Sequence, residues 1–224
     1  MKRLEKISYI IWDWNGTLVN DGALFVEIMN ILLASKKLPP ITLDFYKKSF
    51  CFPLKNYYKA VGFDFKKHSY KKISKEFIAL YNKKRHNARL YVGAKNILFK
   101  IKEANIKNIL LSAQNKKTLV PSVSFYNLSS CFNRVLGLNN YNAIGKEAAA
   151  EQLVKKIPAK KHNILFVGDT VTDMKMGLDL GCHVAALACG HNSFERFESF
   201  KGLNCFKSFD DLCLYLNQEL LGSP

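Results

Sequence analysis

The sequence lacks any apolar run that approaches the roughly 20 residues a helix needs to cross a membrane. It begins with the basic stretch MKRLEK, as signal peptides do, but the apolar residues that follow stop at Asp13 and no small-residue cleavage site comes after them. Both absences predict a cytoplasmic chain with no membrane partner.

Paired cysteines are also missing. The six cysteines include no C-x-x-C pair, and no histidine stands near them at the spacing of a zinc site. In a reducing cytoplasm, isolated cysteines are free thiols that pack as small apolar residues. The sequence therefore predicts reduced thiols and no zinc site.

Acidic residues are scarce: 18 Asp and Glu stand against 34 Lys and Arg, and the net charge is +16. Residues 19–88 alone hold 14 basic and 5 acidic residues. The excess is lysine dispersed in pairs such as Lys47-Lys48, rather than arginine interleaved with stacking aromatic residues. This pattern favours a solvated, lysine-rich surface that attracts small anionic substrates over a surface that binds nucleic acid.

The hydrophobic pattern changes after the first strand-like segment. Between residues 22 and 84, apolar residues recur at helical spacing, which predicts about four helices. A chain of 224 residues, 48% hydrophobic and 23% charged, suits one globular core that carries a smaller insert. We therefore predict a core domain of residues 1–18 and 89–224, an all-helical insert of residues 19–88, and a monomer or weak dimer.

The core segments show an alternation of strand and helix patterns. The predicted strands lie at about residues 7–12, 108–111, 135–136, 164–167 and 183–187, and the predicted helices at about 93–104, 116–126, 146–156, 172–180 and 209–220. Such alternation implies parallel strands joined by right-handed crossovers. The predicted fold class is α/β, with a doubly wound, Rossmann-like parallel sheet as the core and the helical segment inserted into it.

Three of the predicted strands end at a polar residue. The first ends at Asp13, the second at Ser112 and the fourth at Asp169. Because ligands of open parallel sheets bind beyond the carboxyl ends of the strands, these side chains should converge there. The pattern indicates a small polar or anionic ligand together with a metal.

Four short motifs occur in order along the chain, three of them at the ends of these strands. They are Asp13-Trp14-Asn15-Gly16-Thr17, which resembles D-x-D-G-T; Ser112 after an apolar strand; Lys146 at a helix start; and Gly168-Asp169-Thr170-Val171-Thr172-Asp173, which resembles G-D-x-x-x-D. In order, spacing and strand context the chain resembles hydrolases of the haloacid dehalogenase superfamily, with a likeness to phosphoglycolate phosphatase and β-phosphoglucomutase relatives. The predicted insert stands where that superfamily carries its helical C1-type cap.

The resemblance implies a magnesium-dependent phosphohydrolase that acts on a small phosphorylated metabolite, phosphoglycolate included. Asp13 would attack phosphorus and form a phospho-aspartyl intermediate, and Mg²⁺ would cancel the repulsion between the two anions. The implied metal ligands are Asp13, Asp169 and the backbone carbonyl of Asn15. Thr17, Ser112 and Lys146 would hold the phosphoryl oxygens, and Asp173 would fix Asp169 or Lys146.

Simpler interpretations exist for each of these residues. An Asp at a strand end is most often a turn residue or a helix N-cap, and a single Ser or Lys is most often a turn or surface residue. Lys55 lies roughly where related caps present a basic substrate-binding residue, but it also suits an exposed surface. His191, which follows the last predicted strand, is either a polar loop residue or a group that reaches the site.

Asn15 departs from the family pattern, which has an acid–base Asp at this position. A carboxamide cannot donate or accept a proton at neutral pH, and general acid–base help is worth ~10²–10⁴-fold in rate. The substrate could have a leaving group that needs no acid, Asp21 or His191 could supply the proton, or the Asn could be an engineered block. Alternatively, the chain is a catalytically weak phospho-ligand-binding or regulatory protein.

Overall fold

The computed structural model describes residues 6–140 and 143–222. Residues 1–5, 141–142 and 223–224 of the predicted core segments lie outside the described residues. The main sheet has six strands in the order β5-β4-β1-β6-β7-β8, and every neighbouring pair is parallel. These strands are β1 (Tyr9–Trp12), β4 (Lys107–Asn115), β5 (Arg134–Leu138), β6 (Ile164–Gly168), β7 (His183–Leu187) and β8 (Asn204–Phe206).

The strand β1 lies at the centre of this sheet. Ile11 pairs with Ile109 of β4 on one side and with Phe166 of β6 on the other. Because successive side chains of a strand point to opposite faces, Ile10 and Trp12 enter one apolar layer and Ile11 enters the other. Strands of this kind are covered on both faces, which explains the continuous apolar runs in the sequence.

Five helices of the described chain cover the sheet. They are α5 (Ala94–Glu103), α6 (Lys116–Phe125), α7 (Lys146–Lys156), α8 (Val171–Asp179) and α9 (Phe209–Leu216). Buried residues of α5, α6 and α9 belong to the layer that contains Ile10, whereas those of α7 and α8 belong to the layer that contains Ile11. Helices therefore cover both faces, which confirms the predicted doubly wound α/β core.

The remaining four helices follow one another between two short strands. They are α1 (Gly22–Ala34), α2 (Leu43–Ser49), α3 (Leu54–Ala60) and α4 (Tyr70–Lys84), flanked by β2 (Val19–Asn20) and β3 (Arg89–Leu90). The strands β2 and β3 pair in antiparallel fashion, so the chain leaves and re-enters the core at adjacent points. On α4, Ile73, Phe77 and Tyr81 recur at helical spacing and form its buried face.

The structure differs from the sequence prediction at several element ends. The strand β4 continues past Ser112, although its pairing with β5 is irregular between Leu111 and Asn115. The final α-helix ends at Leu216 and gives way to a π turn over Asn217–Leu221. The short strands β2, β3 and β8 were not predicted, because two or three residues carry no detectable periodicity.

Within the described residues, no helix is both long enough and apolar enough to span a bilayer.

Candidate active site

The side chains that follow the central strands meet at one edge of the sheet. Asp13 follows β1, Ser112 lies at the irregular end of β4, and Asp169 follows β6. Since β1 lies between β4 and β6, the three are brought together as the strand pattern predicts. Asp13 and Ser112 line a cavity of about 140 Å³, and the helices between β2 and β3 line its opposite side.

Lys146 binds two of the carboxylates. It is the first residue of α7 and follows Gly145, whose φ of 102° is in the left-handed region. Its Nζ donates to Asp13 Oδ1 and, at 2.6 Å, to Asp173 Oδ1. Burial lowers the pKa of Lys146, but the carboxylates of Asp13 and Asp173 outweigh it and raise that pKa above its ordinary value. The ammonium therefore stays charged at neutral pH.

Asp173 is held by the first turn of α8. Its Oδ2 accepts hydrogen bonds from Thr170 Oγ1 at 2.6 Å and from Thr170 N at 3.2 Å, while the Thr170 side chain accepts from Asp173 N. This reciprocal pair is a capping box. Of the two roles predicted for Asp173, the structure supports the one that fixes Lys146.

Asp169 is fully buried, and both of its oxygens accept hydrogen bonds. Thr17 Oγ1 donates to Oδ1 at 2.8 Å, and the backbone N–H of His191 donates to Oδ2 at 2.6 Å. A Cβ at Gly16 would lie 2.1 Å from Asp169 Oδ2, so only glycine allows this close approach. Thr17, which the family resemblance assigns to phosphate binding, uses its hydroxyl here to orient Asp169.

A bound cation would stabilise the cluster of carboxylates at this site. Ligand atoms of Asp13, Asp169 and Asp173 all lie within 4.8 Å of one another. Burial raises the pKa of Asp13 to about 7 against the opposing effect of Lys146, and burial raises the pKa of Asp169 to about 6. Crowded, buried carboxylate oxygens are the donor set that Mg²⁺ prefers, and a divalent cation would relieve their repulsion. The residues present therefore fit the metal.

Asn15 is held by a buried polar network that the sequence did not reveal. Its Nδ2 donates to Asp21 Oδ2 at 2.6 Å and to the Tyr81 hydroxyl at 2.5 Å. That hydroxyl donates to Asp21 Oδ2 at 2.8 Å, and Gly16 N donates to Asp21 Oδ1 at 2.9 Å. Tyr81 belongs to α4, and its helical spacing with Phe77 reads as core packing in the sequence, so no signal marked it as part of the site.

His191 is buried beside this network rather than exposed in a loop. Its Nδ1 is 2.7 Å from the Tyr46 hydroxyl, and its Nε2 is 3.3 Å from Asp21 Oδ1. Burial lowers the pKa of His191, but the nearby carboxylates of Asp169 and Asp21 raise it overall. The structure thus supports the interpretation in which His191 reaches the site, and it adds Tyr46, which no sequence pattern indicated.

The other two predicted substrate contacts fall in different places. Ser112 is buried at the cavity wall, where its Oγ accepts from Gln114 N at 3.1 Å. Lys55 is exposed, lies outside the cavity, and places its Nζ 5.6 Å from the centre of the Phe65 ring. Because α3 turns Lys55 toward solvent, the structure does not support its predicted contact with substrate.

Comparisons with known proteins place this geometry in a family. Residues 10–187 match the family described as haloacid dehalogenase-like hydrolase. A predicted phosphoglycolate phosphatase from Haemophilus somnus 129PT has a similar structure, with a TM-score of 0.75 at 20% identity over 95% of this chain and 99% of that one. A predicted phosphatase from Clostridium acetobutylicum gives a TM-score of 0.76 at 15% identity over 96% and 100%.

The same fold occurs in a protein with a different named activity. Protein tyrosine kinase A from Mycobacterium tuberculosis gives a TM-score of 0.77 at 17% identity over 95% of this chain and 99% of that one. No match was found among curated proteins. At these identities the structural likeness shows the fold alone, and the chemistry rests on the family and on the site.

Proposed function

Because the chain belongs to the haloacid dehalogenase-like hydrolases, we propose that it is a magnesium-dependent phosphatase that hydrolyses a small phosphorylated metabolite through Asp13. The observation that carries this proposal is the contact of the half-buried Asp13 carboxylate with the Lys146 ammonium at the edge of the cavity. A second carboxylate, that of the buried Asp169, has a ligand atom within 4.8 Å of one on Asp13.

Asp13, Asp169 and the backbone carbonyl of Asn15 are the proposed ligands of Mg²⁺. When bound, the ion neutralises negative charge on the carboxylates and on the phosphoryl oxygens, which lets one anion approach another. Oδ1 of Asp173 is paired with the Lys146 ammonium and its Oδ2 accepts two hydrogen bonds from Thr170. Each oxygen of Asp169, by contrast, accepts one hydrogen bond from an uncharged donor and keeps a lone pair for a metal. We therefore assign Asp173 to positioning Lys146 and not to the metal.

In the proposed reaction, a carboxylate oxygen of Asp13 attacks phosphorus as the ester P–O bond breaks. The bonding electrons leave with the alcohol oxygen, which takes up a proton, and water then cleaves the aspartyl phosphate to give phosphate and free Asp13. Within the described residues, Oδ2 of Asp13 accepts no hydrogen bond, so it is available for the attack. The Lys146 ammonium and the Ser112 hydroxyl would hold the phosphoryl oxygens as their charge develops.

Asn15 supports a second candidate function. Its amide cannot carry the proton that an alcohol leaving group needs, and its Nδ2 is engaged by Asp21 and Tyr81. A protein that binds a phosphorylated ligand in the presence of Mg²⁺ but turns it over slowly would have the same site. Cytoplasmic location, a monomeric or weakly dimeric state and the absence of nucleic-acid binding also stay predictions.

The test is release of inorganic phosphate from a panel of phosphorylated metabolites. We expect activity that chelators abolish, that Mg²⁺ restores, and that Asp13→Asn eliminates. Asp179→Asn makes the same chemical change at an exposed position on α8 and should leave activity intact. Activity that survives both chelation and Asp13→Asn would disprove the proposed mechanism. Saturable, Mg²⁺-dependent phosphate-ester binding without turnover would favour the second candidate.

A further inference from the structure

We propose that the leaving group of the substrate is an uncharged aromatic or heteroaromatic ring system with a hydrogen-bond acceptor, and not a short carboxylate such as glycolate. This inference rests on the proposed phosphatase function and names the substrate class of the same site. It depends on the part of the cavity that faces away from Asp13, which is formed by α1 to α4 and the turns between them.

The wall contributed by these helices is almost entirely apolar and largely aromatic. Its lining residues are Phe25, Met29, Phe50, Phe52, Leu54, Tyr57, Tyr58, Tyr70, Phe77, Ile78 and Tyr81, with Ser74 and Asn82 as the polar members. Several of these rings contact one another at their edges: the centroids of Phe50 and Tyr57 are 5.3 Å apart, and those of Phe25 and Phe77 are 5.2 Å apart. A flat ring that enters the cavity and packs against them gains ring–ring contacts and buried apolar area.

The positive charges of residues 19–88 lie where they cannot bind an acidic leaving group inside the cavity. Residues 19–88 hold 14 Lys and Arg, yet none of them lines the cavity. Lys55 and Lys59, for example, line a separate and shallow depression on the surface. A carboxylate placed against the aromatic wall would lose its water without gaining a cation, and burial of an unpaired charge is strongly unfavourable. The wall therefore selects against glycolate-like groups.

The Tyr57 hydroxyl is one of the polar groups in the wall that lack a hydrogen-bond partner among the residues described. The Tyr57 side chain is only 2% exposed, and its hydroxyl makes no hydrogen bond within the described residues. Burial raises the pKa of Tyr57, so the hydroxyl keeps its proton and acts as a donor. A buried donor without an acceptor is costly, and a ring nitrogen or carbonyl oxygen of the bound substrate would satisfy it.

The first experiment compares leaving groups of similar basicity, so that wall contacts rather than chemical reactivity decide the outcome. Phosphate release is measured with Mg²⁺ for benzyl phosphate, ethyl phosphate and 2-phosphoglycolate. We expect kcat/KM to be greater for benzyl phosphate than for ethyl phosphate by roughly 10- to 100-fold, the value of burying one ring. We expect 2-phosphoglycolate to be the poorest of the three.

The second experiment places a cation in the wall. Ile78 is half-buried at the cavity on α4, and its neighbour Ala79 is exposed, so Ile78→Lys and Ala79→Lys add the same charge inside and outside the cavity. We expect Ile78→Lys to raise kcat/KM for 2-phosphoglycolate on the order of tenfold while it lowers that for benzyl phosphate. Ala79→Lys should change kcat/KM for neither substrate. Ile78→Met keeps the wall apolar and should retain the preference for benzyl phosphate.

Binding measurements separate a failure of this inference from a failure of the proposed function. Calorimetry with Mg²⁺ compares benzylphosphonate with phosphonoacetate, neither of which can be hydrolysed as an ester. Tighter binding of benzylphosphonate supports the inference even if turnover is slow. Equal or tighter binding of phosphonoacetate, or preferred turnover of 2-phosphoglycolate, overturns the inference and leaves the phosphatase standing. Absence of both binding and turnover for all of these compounds overturns the function and the inference together.

Discussion

At the scale of single residues, Asn15 and Asp21 form a matched pair of one amide donor and one carboxylate acceptor. Asn15 Nδ2 donates to Asp21 Oδ2 at 2.6 Å, and Asp21 is fully buried. Replacement of Asn15 by Asp would put two carboxylates at this distance, where they cannot both ionise without strong repulsion. The effect of a substitution at position 15 therefore depends on whether residue 21 is a carboxylate or an amide.

This pairing predicts different effects for a single and a double substitution. Asn15→Asp should destabilise the fold by about 2 kcal/mol, because a hydrogen bond to a charged group is lost and a like-charge contact replaces it. The exchange Asn15→Asp with Asp21→Asn restores one donor and one acceptor and should recover most of that loss. Urea unfolding measures both values.

The double substitution Asn15→Asp with Asp21→Asn also tests which group supplies the proton to the leaving alcohol. With a carboxyl at position 15, turnover of ethyl phosphate should rise by ~10²-fold or more, the typical value of a general acid, while acetyl phosphate should change little. Asn15→Ala serves as a control that removes the amide and adds no acid. If the exchange leaves ethyl phosphate turnover at the wild-type level, another group carries the proton, and His191 is the first to mutate.

The carboxylates of the proposed metal site predict how stability depends on pH. Burial raises the pKa of Asp13 from 3.8 to about 7, so between these values the folded state binds more protons than the unfolded state. Its contribution to metal-free stability is therefore greatest below pH 3.8 and falls as the pH rises toward about 7. Since Mg²⁺ competes with the proton, it should raise Tm more at about pH 8 than at about pH 5.

Comparison with Asp13→Asn isolates this effect from the other titrating groups. The variant should show a flatter loss of stability across the same pH range and a much smaller Tm increase with Mg²⁺. Asp179→Asn, on the surface, should behave as the wild type does. A Tm increase with Mg²⁺ that is equal at both pH values and unaffected by Asp13→Asn would place the ion elsewhere.

At the scale of elements, the N-terminus of α8 connects helix capping to the site. Thr170 caps α8 and at the same time holds Asp173, which in turn binds Lys146. Thr170→Ala should lower the free energy of unfolding by about 1 kcal/mol and should also lower kcat, because Asp173 and Lys146 lose a fixed position. Thr170→Ser keeps the hydroxyl and should retain both properties.

A second capping residue provides the matched control. Ser208 caps α9 by accepting from Asp211 N, and neither residue lines the cavity. Ser208→Ala should lower stability by a similar ~1 kcal/mol and leave kcat unchanged. If both alanine variants reduce kcat equally, the effect of Thr170 comes from general destabilisation and not from Asp173.

The length of an element decided whether its sequence pattern could reveal it. The helix α7 and the strand β7 have the predicted bounds, because several residues with a regular apolar period specify each of them. The strands β2 and β3 have two residues each and form through their mutual pairing, which is a contact between positions some 70 residues apart in the chain. No local pattern encodes such a pairing.

At the scale of the whole molecule, the net charge of +16 predicts salt-dependent capture of anionic substrates. The lysines of residues 19–88 do not line the cavity, so their effect acts at a distance and should be screened by salt. We expect kcat/KM to fall as ionic strength rises, since the Debye length shortens to ~10 Å at 0.1 M, while kcat stays nearly constant. Stopped-flow and steady-state kinetics over a salt series measure both.

Binding measurements over the same salt series test whether the protein binds nucleic acid. Duplex DNA or RNA should bind weakly at physiological salt, because the lysines are dispersed in pairs along the sequence and are not interleaved with stacking aromatic residues. Sub-micromolar affinity with a steep dependence on salt would show instead that a dedicated phosphate-binding surface exists. A kcat/KM that does not change with salt would show that the charge has no part in substrate capture.

The sequence by itself determined the fold class and the convergence of Asp13, Ser112 and Asp169, and the family resemblance added Lys146 to them. The period of apolar residues specifies strands and helices, parallel strands present their carboxyl ends at one edge, and four motifs in order identify the residues that stand there. These are local patterns combined with one topological rule. They required no knowledge of which distant segments touch.

Only the tertiary structure decided what each side chain contacts. It assigned Thr17 to Asp169, buried His191 beside Asp21, excluded Lys55 from the cavity and turned a row of aromatic residues toward that cavity. In the sequence, Phe77 and Tyr81 have the spacing of any buried helix face, since periodicity shows which side of a helix is apolar and not whether that side meets a core or a cavity. The choice between them depends on how the helices pack against the sheet, and that packing is a property of the whole chain.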